Sequence, residues 1–254
     1  MLRSHESRTA ENSAAYLLPL LEPGMALLDV GCGPGTITAD LAERVAPGRV
    51  TAIDASDGVL ARARRHAGER GLATVDFRVS DVHALEFDDA TFDVVHAHQV
   101  LQHVADPVQA LREMRRVCRP GGVVAARDSD YAAMTWYPAV PELDEWLALY
   151  QRVARHNGGE PDAGRRLLAW AHEAGMARAE ASAGVWCYAD DPARSWWSGI
   201  WAERMLDSAV AAQAQEYGYA SRADLERIAD GWRAWGASGD GWFTVLHGEI
   251  VCRP

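Results

Sequence analysis

The segment Leu27-Leu28-Asp29-Val30-Gly31-Cys32-Gly33-Pro34-Gly35 places an acidic residue two positions before a run of alternating glycines. Glycine allows positive φ and lets a ligand lie against bare backbone. Asp54 follows Gly35 by 19 residues, and a carboxylate at that spacing can take both hydroxyls of a ribose. Together these features point to a nucleoside site. Two cofactor layouts share them. A dinucleotide site wants G-x-G-x-x-G, so that the pyrophosphate meets a helix N-terminus, but here the last position is Thr36. Asp29 would also oppose a pyrophosphate, and it suits a ligand that carries an ammonium group.

Other residues could do chemistry. His96 and His98 are two apart on an apolar run, so both face the same way, and His103 follows. No carboxylate–His spacing of a metal site accompanies them, so no metal is expected. His98 is the candidate base and His103 reads as structural. Asp128 and Asp130 follow another apolar run and could orient or deprotonate a substrate. All ten tryptophans lie at or after Trp136. Trp196, Trp197 and Trp201 cannot all share one helical face. Tyr131, Trp136, Trp197 and Trp201 are therefore candidates for an aromatic acceptor pocket.

The elements that must position these residues alternate. Short apolar runs at 25–30, 49–54, 75–79, 92–97 and 122–127 read as strands. Helical patterns fill 36–45, 56–70 and 106–118, with Ser56 and Asp106 as N-caps. A further helix is expected over 9–21. Such alternation gives an α/β, doubly wound, mostly parallel sheet, whose ligands sit at the carboxyl ends of the strands. After Asp130 the pattern changes. Helices are expected near 141–156 and 163–175, a strand at 178–188, two or three helices in 191–236, and a closing strand at 241–253.

The bulk properties set limits. At 254 residues, 48% hydrophobic and 24% charged, the chain suits one elaborated domain. The net charge of −11, from 36 acidic and 25 basic residues, opposes binding to nucleic acid or anionic lipid. Four dispersed cysteines make a disulfide framework improbable and favour a cytoplasmic setting. No signal peptide and no membrane span is read.

The sequence resembles the class I S-adenosylmethionine (SAM)-dependent methyltransferases, of the group that holds ubiquinone/menaquinone-biosynthesis and small-molecule methyltransferases. The resemblance rests on LLDVGCGPGTIT (27–38), VTAIDAS (50–56), SDVHAL (80–85), FDVVHAHQVLQHVADP (92–107) and RPGG (119–122). It implies a Rossmann-like seven-stranded sheet with an inserted helical lid. The SAM-binding core would span about 1–130 and 237–254, and the lid about 131–162 and 189–236. It implies that Asp29, Gly31 and Gly33 hold the methionine part of SAM. Asp54 and Ala55 would take the ribose and adenine side, Asp81 and Val82 the adenine edge. His98 and Gln99 would flank the methyl group, and Arg8 could pair with the SAM carboxylate. The implied reaction is methyl transfer to a small organic acceptor, leaving S-adenosylhomocysteine, with His98 and Asp128 as catalytic candidates. A SAM- or nucleoside-binding protein without turnover and a nicotinamide oxidoreductase are the alternatives.

Overall fold

The computed structural model describes residues 7–72 and 74–254. Alternation along the strands decides the architecture. Leu27, Val94, Val123 and Ala125 pack into one apolar cluster, while Leu28, Val95, Val124 and Ala126 pack into another. Successive side chains of a strand point to opposite faces, so the sheet is apolar on both sides and both sides must be covered. One cluster is closed by α2 (Thr36–Val45) and the short α1 (Ala10–Ser13). The other is closed by α4 (Pro107–Val117) and α6 (Leu167–Glu173).

The strands are β1 (Leu27–Val30), β2 (Val50–Asp54), β3 (Val75–Val79), β4 (Phe92–His98), β5 (Cys118–Ser129), β6 (Thr135–Tyr137), β7 (Ala179–Tyr188) and β8 (Trp242–Cys252). They lie in the order β3-β2-β1-β4-β5-β8, with β7 on the far edge of β8. The first five run parallel, and β8 is antiparallel to β5 and β7. Helix α3 (Asp57–Glu69) follows β2, capped by Ser56, and α4 is capped by Asp106.

Three expectations are revised. The helix over 9–21 stops at Ser13, and a 3-10 turn at Leu18–Leu20 follows. Pro19 lies inside the expected helix, where it removes a backbone donor and clashes with the preceding turn. The sheet has eight strands rather than seven, because β6 continues along β8 beyond the end of β5. Strand β5 begins at Cys118, and its register with β4 jumps from Phe92↔Cys118 to Val94↔Val123 across Arg119–Gly122.

The aromatic half builds a core of its own. Helices α5 (Pro141–His156), α7 (Asp191–Leu206), α8 (Ala209–Glu216) and α9 (Arg222–Gly236) gather around Trp146, Trp232, Trp235 and Phe243, all fully buried. The Trp146 ring meets Trp201 and Trp232 edge-on at 4.5 and 4.8 Å, the favoured aromatic geometry. No helix among the described residues is long and apolar enough to cross a membrane.

Candidate active site

The turn after β1 is built on left-handed backbone at Gly31, Gly33 and Gly35. At Gly31 a Cβ would come within 2.4 Å of Val100, so that position has no room for a side chain. At Gly33 a Cβ would meet nothing within 4 Å, which leaves bare backbone facing open space. Behind the turn, Asp29 is 3% exposed. Thr38 donates to its carboxylate at 2.6 Å, and the His96 ring nitrogen Nδ1 lies 2.9 Å away. Asp29 and His96 are register partners on β1 and β4. A buried carboxylate requires such partners, and this pairing accounts for His96.

A cavity of about 1000 Å³ opens over this turn, at the carboxyl ends of β1, β2 and β4. Asp54 and Ala55 line it at β2, and Asp81 and Val82 line it just beyond β3. The two Asp54 carboxylate oxygens accept from the backbone N–H of Gly33 (3.1 Å) and of Ser56 (3.0 Å). Asp81 accepts from the His83 backbone N–H at 2.9 Å, and the His83 ring lies at 2.7 Å. Those contacts hold its carboxyl below the usual carboxylate range. Arg8, Asp29, Gly31, Gly33, His98 and Gln99 also stand in this wall.

A second cavity of about 520 Å³ lies beneath the helices of the aromatic half. Tyr131, Trp197 and Trp201 line it. Along α7, Trp197, Trp201 and Arg204 recur at helical spacing, and all three face this cavity. Trp186 and Tyr188, two apart on β7, supply another wall, and Tyr150 of α5 stacks on Tyr131 at 4.2 Å.

The two cavities share Arg8, Gln99 and His103. Gln99 has φ +54°, a left-handed conformation that non-glycine residues seldom adopt. Its amide donates to Ser129 at 2.8 Å and lies 2.9 Å from His247 Nε2, while its oxygen accepts from Arg8. Trp186 Nε1 donates to the Asn12 carbonyl at 2.7 Å, which ties the segment after Arg8 to β7. His98 is 6% exposed, and its ring lies 6.0 Å from Trp186 and 6.3 Å from His247. Burial, with Arg8 and Arg127 nearby, pushes its pKa well below the ordinary value, so the ring is neutral.

The family profile described as Methyltransferase domain matches residues 21–180. An uncharacterised methyltransferase of Schizosaccharomyces pombe is 34% identical over 98% of this chain and 92% of its own length. A ubiquinone biosynthesis O-methyltransferase of Methylocella silvestris is 43% identical over 41% of this chain and 39% of its own length. Among solved structures, Haemonchus contortus phosphoethanolamine N-methyltransferase 2, in complex with phosphomonomethylethanolamine and S-adenosylhomocysteine, matches with a TM-score of 0.57. It is 18% identical over 92% of this chain and 50% of that one, a likeness of fold. The chain belongs to the class I SAM-dependent methyltransferases.

This methyltransferase uses SAM and releases S-adenosylhomocysteine. The nicotinamide and non-enzymatic alternatives are set aside. The larger cavity fits the cofactor. It offers open backbone at Gly33, a carboxylate at Asp54 and a volume in the range of ligand pockets. Two expected site residues stand elsewhere in the methyltransferase. Asp128 is fully buried and lines neither cavity. Its Oδ1 accepts from the Gln102 backbone N–H at 3.1 Å, so it caps the turn after β4, and burial raises its pKa to about 7. Trp136 stacks on Phe243 at 5.6 Å, in the aromatic core rather than the pocket. Asp130 pairs with Arg165 through both oxygens at 2.6 and 2.7 Å. The cavity residues that sequence reasoning missed include Tyr150, Trp186, Tyr188 and Arg204, and it read His103 as structural.

Asp54→Ala should weaken S-adenosylhomocysteine binding about ten- to a hundredfold, the equivalent of a hydrogen bond to a charged group. Titration calorimetry on the folded variant checks this. The neutral, buried His98 makes a second expectation. Unfolding lets its ring take a proton below about pH 6.5, so the stability it lends above that pH is lost as pH falls. Asp128 works in the opposite sense. Its raised pKa means that the folded form keeps a proton which the unfolded chain releases, and this stability is lost as pH rises from about 4 to about 7. Urea unfolding between pH 7 and 5 should show wild-type stability falling more steeply than that of His98→Gln, by about one proton taken up on unfolding.

Proposed function

We propose that this enzyme methylates a small organic acceptor held in the aromatic cavity, by in-line displacement at the methyl carbon. The observation that carries the reading is the sharing of Arg8, Gln99 and His103 by the two cavities. A methyl group must cross from one ligand to the other without meeting water, and a shared wall is where that crossing can occur.

SAM, when bound, supplies a methyl group on a sulfonium, already a good leaving group. The chain's own residues bind, align and exclude water. Asp54 takes the ribose hydroxyls, with Ala55 beside the adenine. Asp81 and the Val82 backbone N–H take the adenine edge. Gly31, Gly33 and the charge of Asp29 receive the methionine part, and Arg8 receives its carboxylate. Gln99, fixed by Ser129, His247 and Arg8, gives the methyl end a rigid boundary beside His98. Alignment of this kind is worth about 7–11 kcal/mol. Tyr131, Trp197 and Trp201 hold the acceptor, and the helices of 131–162 and 189–236 act as the lid over a core of 1–130 and 237–254.

Where the acceptor arrives protonated, His103 is the base, in place of His98 and Asp128. It lines both cavities, whereas His98 lines the cofactor cavity alone and Asp128 lines neither. A cytoplasmic setting belongs to the same reading, supported by four cysteines that form no disulfide.

Turnover should appear as acceptor-dependent release of S-adenosylhomocysteine across a panel of small phenols, amines, thiols and carbon acids. With a phenol or other protonated acceptor, His103→Gln should lower kcat by about 10², the low end for a general base because burial lowers the His103 pKa to about 4, and leave S-adenosylhomocysteine affinity unchanged. Equal turnover by the variant would remove His103 from the reaction.

A further inference from the structure

Gln102 lies in the turn after β4 and is held by backbone and side chain alike. Its backbone N–H donates to Asp128 Oδ1 at 3.1 Å, and its carbonyl accepts from the Glu160 N–H at 3.0 Å. Its side-chain Oε1 accepts from the Ser129 backbone N–H at 3.2 Å, and its Nε2 lies 2.9 Å from His103 Nε2. A backbone N–H can only donate, so the oxygen end of the amide must face Ser129 and the nitrogen end must face His103. The amide nitrogen is a donor only. His103 Nε2 therefore accepts, and the neutral ring carries its proton on Nδ1.

This pair stands in the wall of the aromatic cavity. Gln102, His103 and Ser129 all line that cavity, and Gln102 is absent from the lining of the cofactor cavity. Burial lowers the His103 pKa to about 4, so the ring is neutral at pH 7.5. One N–H of the Gln102 amide goes to His103, and the second has no partner among the described residues. The wall thus sets a donor and a ring lone pair side by side. An atom that uses both and still attacks the methyl carbon must give a proton to Nε2, accept from the amide and keep a further lone pair. A hydroxyl oxygen has one proton and two lone pairs. A neutral amine nitrogen has a single lone pair, which the attack consumes. A thiol is a weak donor and a weak acceptor, and a carbon acid has no lone pair on carbon.

We propose that the methylated atom is a hydroxyl oxygen, and that Gln102 is a catalytic residue that receives it together with His103. The proposal rests on the methyl-transfer reading above and names the atom that reacts. In the free chain the Gln102 amide occupies the Nε2 lone pair. The acceptor hydroxyl takes that place, donating to Nε2 while the amide turns an N–H to the oxygen. One oxygen lone pair forms the new bond to the methyl carbon. The carbon–sulfur bond breaks, and its electron pair goes to sulfur. The hydroxyl proton passes to His103 Nε2. The positive charge thus leaves the sulfonium and appears on the imidazolium, which gives its proton to water after the product departs. The oxygen becomes more acidic as the new bond forms, so a weakly basic ring suffices. The Gln102 N–H occupies the second oxygen lone pair and so sets the direction of the first.

The test uses the full chain at pH 7.5 and has two parts. Long-range nitrogen–proton NMR of isotope-labelled histidines, with S-adenosylhomocysteine bound, reads the His103 tautomer, its signals assigned by their loss in His103→Gln. The proton should sit on Nδ1 in the wild type, and Gln102→Met should let Nε2–H appear. Turnover is then measured with SAM on matched acceptors, the phenol, aniline and thiophenol of the 4-methylphenyl and 1-naphthyl series. At least one hydroxyl acceptor should be methylated, with kcat/KM about tenfold or more above its amine and thiol counterparts. Gln102→Met should lower kcat on it about a hundredfold, the loss of one donor at a reacting oxygen, and keep wild-type affinity for S-adenosylhomocysteine. Adding His103→Gln should cost little more, as expected of groups that act as a unit. A wild-type ring with its proton on Nε2, or undiminished kcat in Gln102→Met, would overturn the proposal. If Gln102→Met does not fold, the wild-type tautomer and the wild-type choice of atom decide. Methylation of amines, thiols or carbon acids but of no hydroxyl overturns the proposal and keeps the methyl-transfer reading. A chain that binds SAM and methylates no acceptor of any class contradicts both.

Discussion

Gln99 stands in left-handed backbone at the carboxyl end of β4, and its carboxamide ties together Arg8, Ser129 of β5 and His247 of β8. Four separate stretches of chain thus meet in one side chain. A non-glycine residue holds such a conformation at a cost of order 1–3 kcal/mol, and here the hydrogen bonds on both ends of the amide oppose that cost. The consequence is geometric. The N-terminal segment is drawn over the sheet edge, Trp186 is fastened to Asn12, and one wall comes to serve two cavities. Loss of this knot would remove the tie that fixes Arg8 against Gln99 in the wall shared by the two cavities.

The charge pattern follows the same division. Asp29, Asp54 and Asp81 line the larger cavity, whereas Arg204 lines the smaller one and Arg8 stands in the wall they share. Water excluded from such a junction no longer screens these charges, so each is felt more strongly than at a surface. The aromatic core around Trp146 and Trp232 holds the smaller cavity in place, and Tyr131, Trp197 and Trp201 serve as both packing and wall.

Much of this could be read before any coordinates, and the reasons for failure are physical. The glycine turn, Asp54 and the caps Ser56 and Asp106 are local in sequence, and each appears at the predicted element boundary. Asp128 misled because position after a strand says which sheet edge a residue is near but not whether its side chain points up into a site or back onto the turn at Gln102. Trp136 misled because its partner, Phe243, lies more than a hundred residues away on β8. Strand β6 was hidden for the same reason. Two signals were present and unused. Trp197, Trp201 and Arg204 share a helical stripe, and Trp186 and Tyr188 share a strand face, so the cavity wall was written in both periodicities.

The most direct test of this account is a crystal structure of the full chain with S-adenosylhomocysteine. The account requires the ribose on Asp54, the adenine beside Asp81 and Val82, and the sulfur directed at the junction of Gln99 and His103, with the aromatic cavity open beyond it. A ligand lodged in the aromatic cavity, or a sulfur pointing away from Gln99, would contradict it.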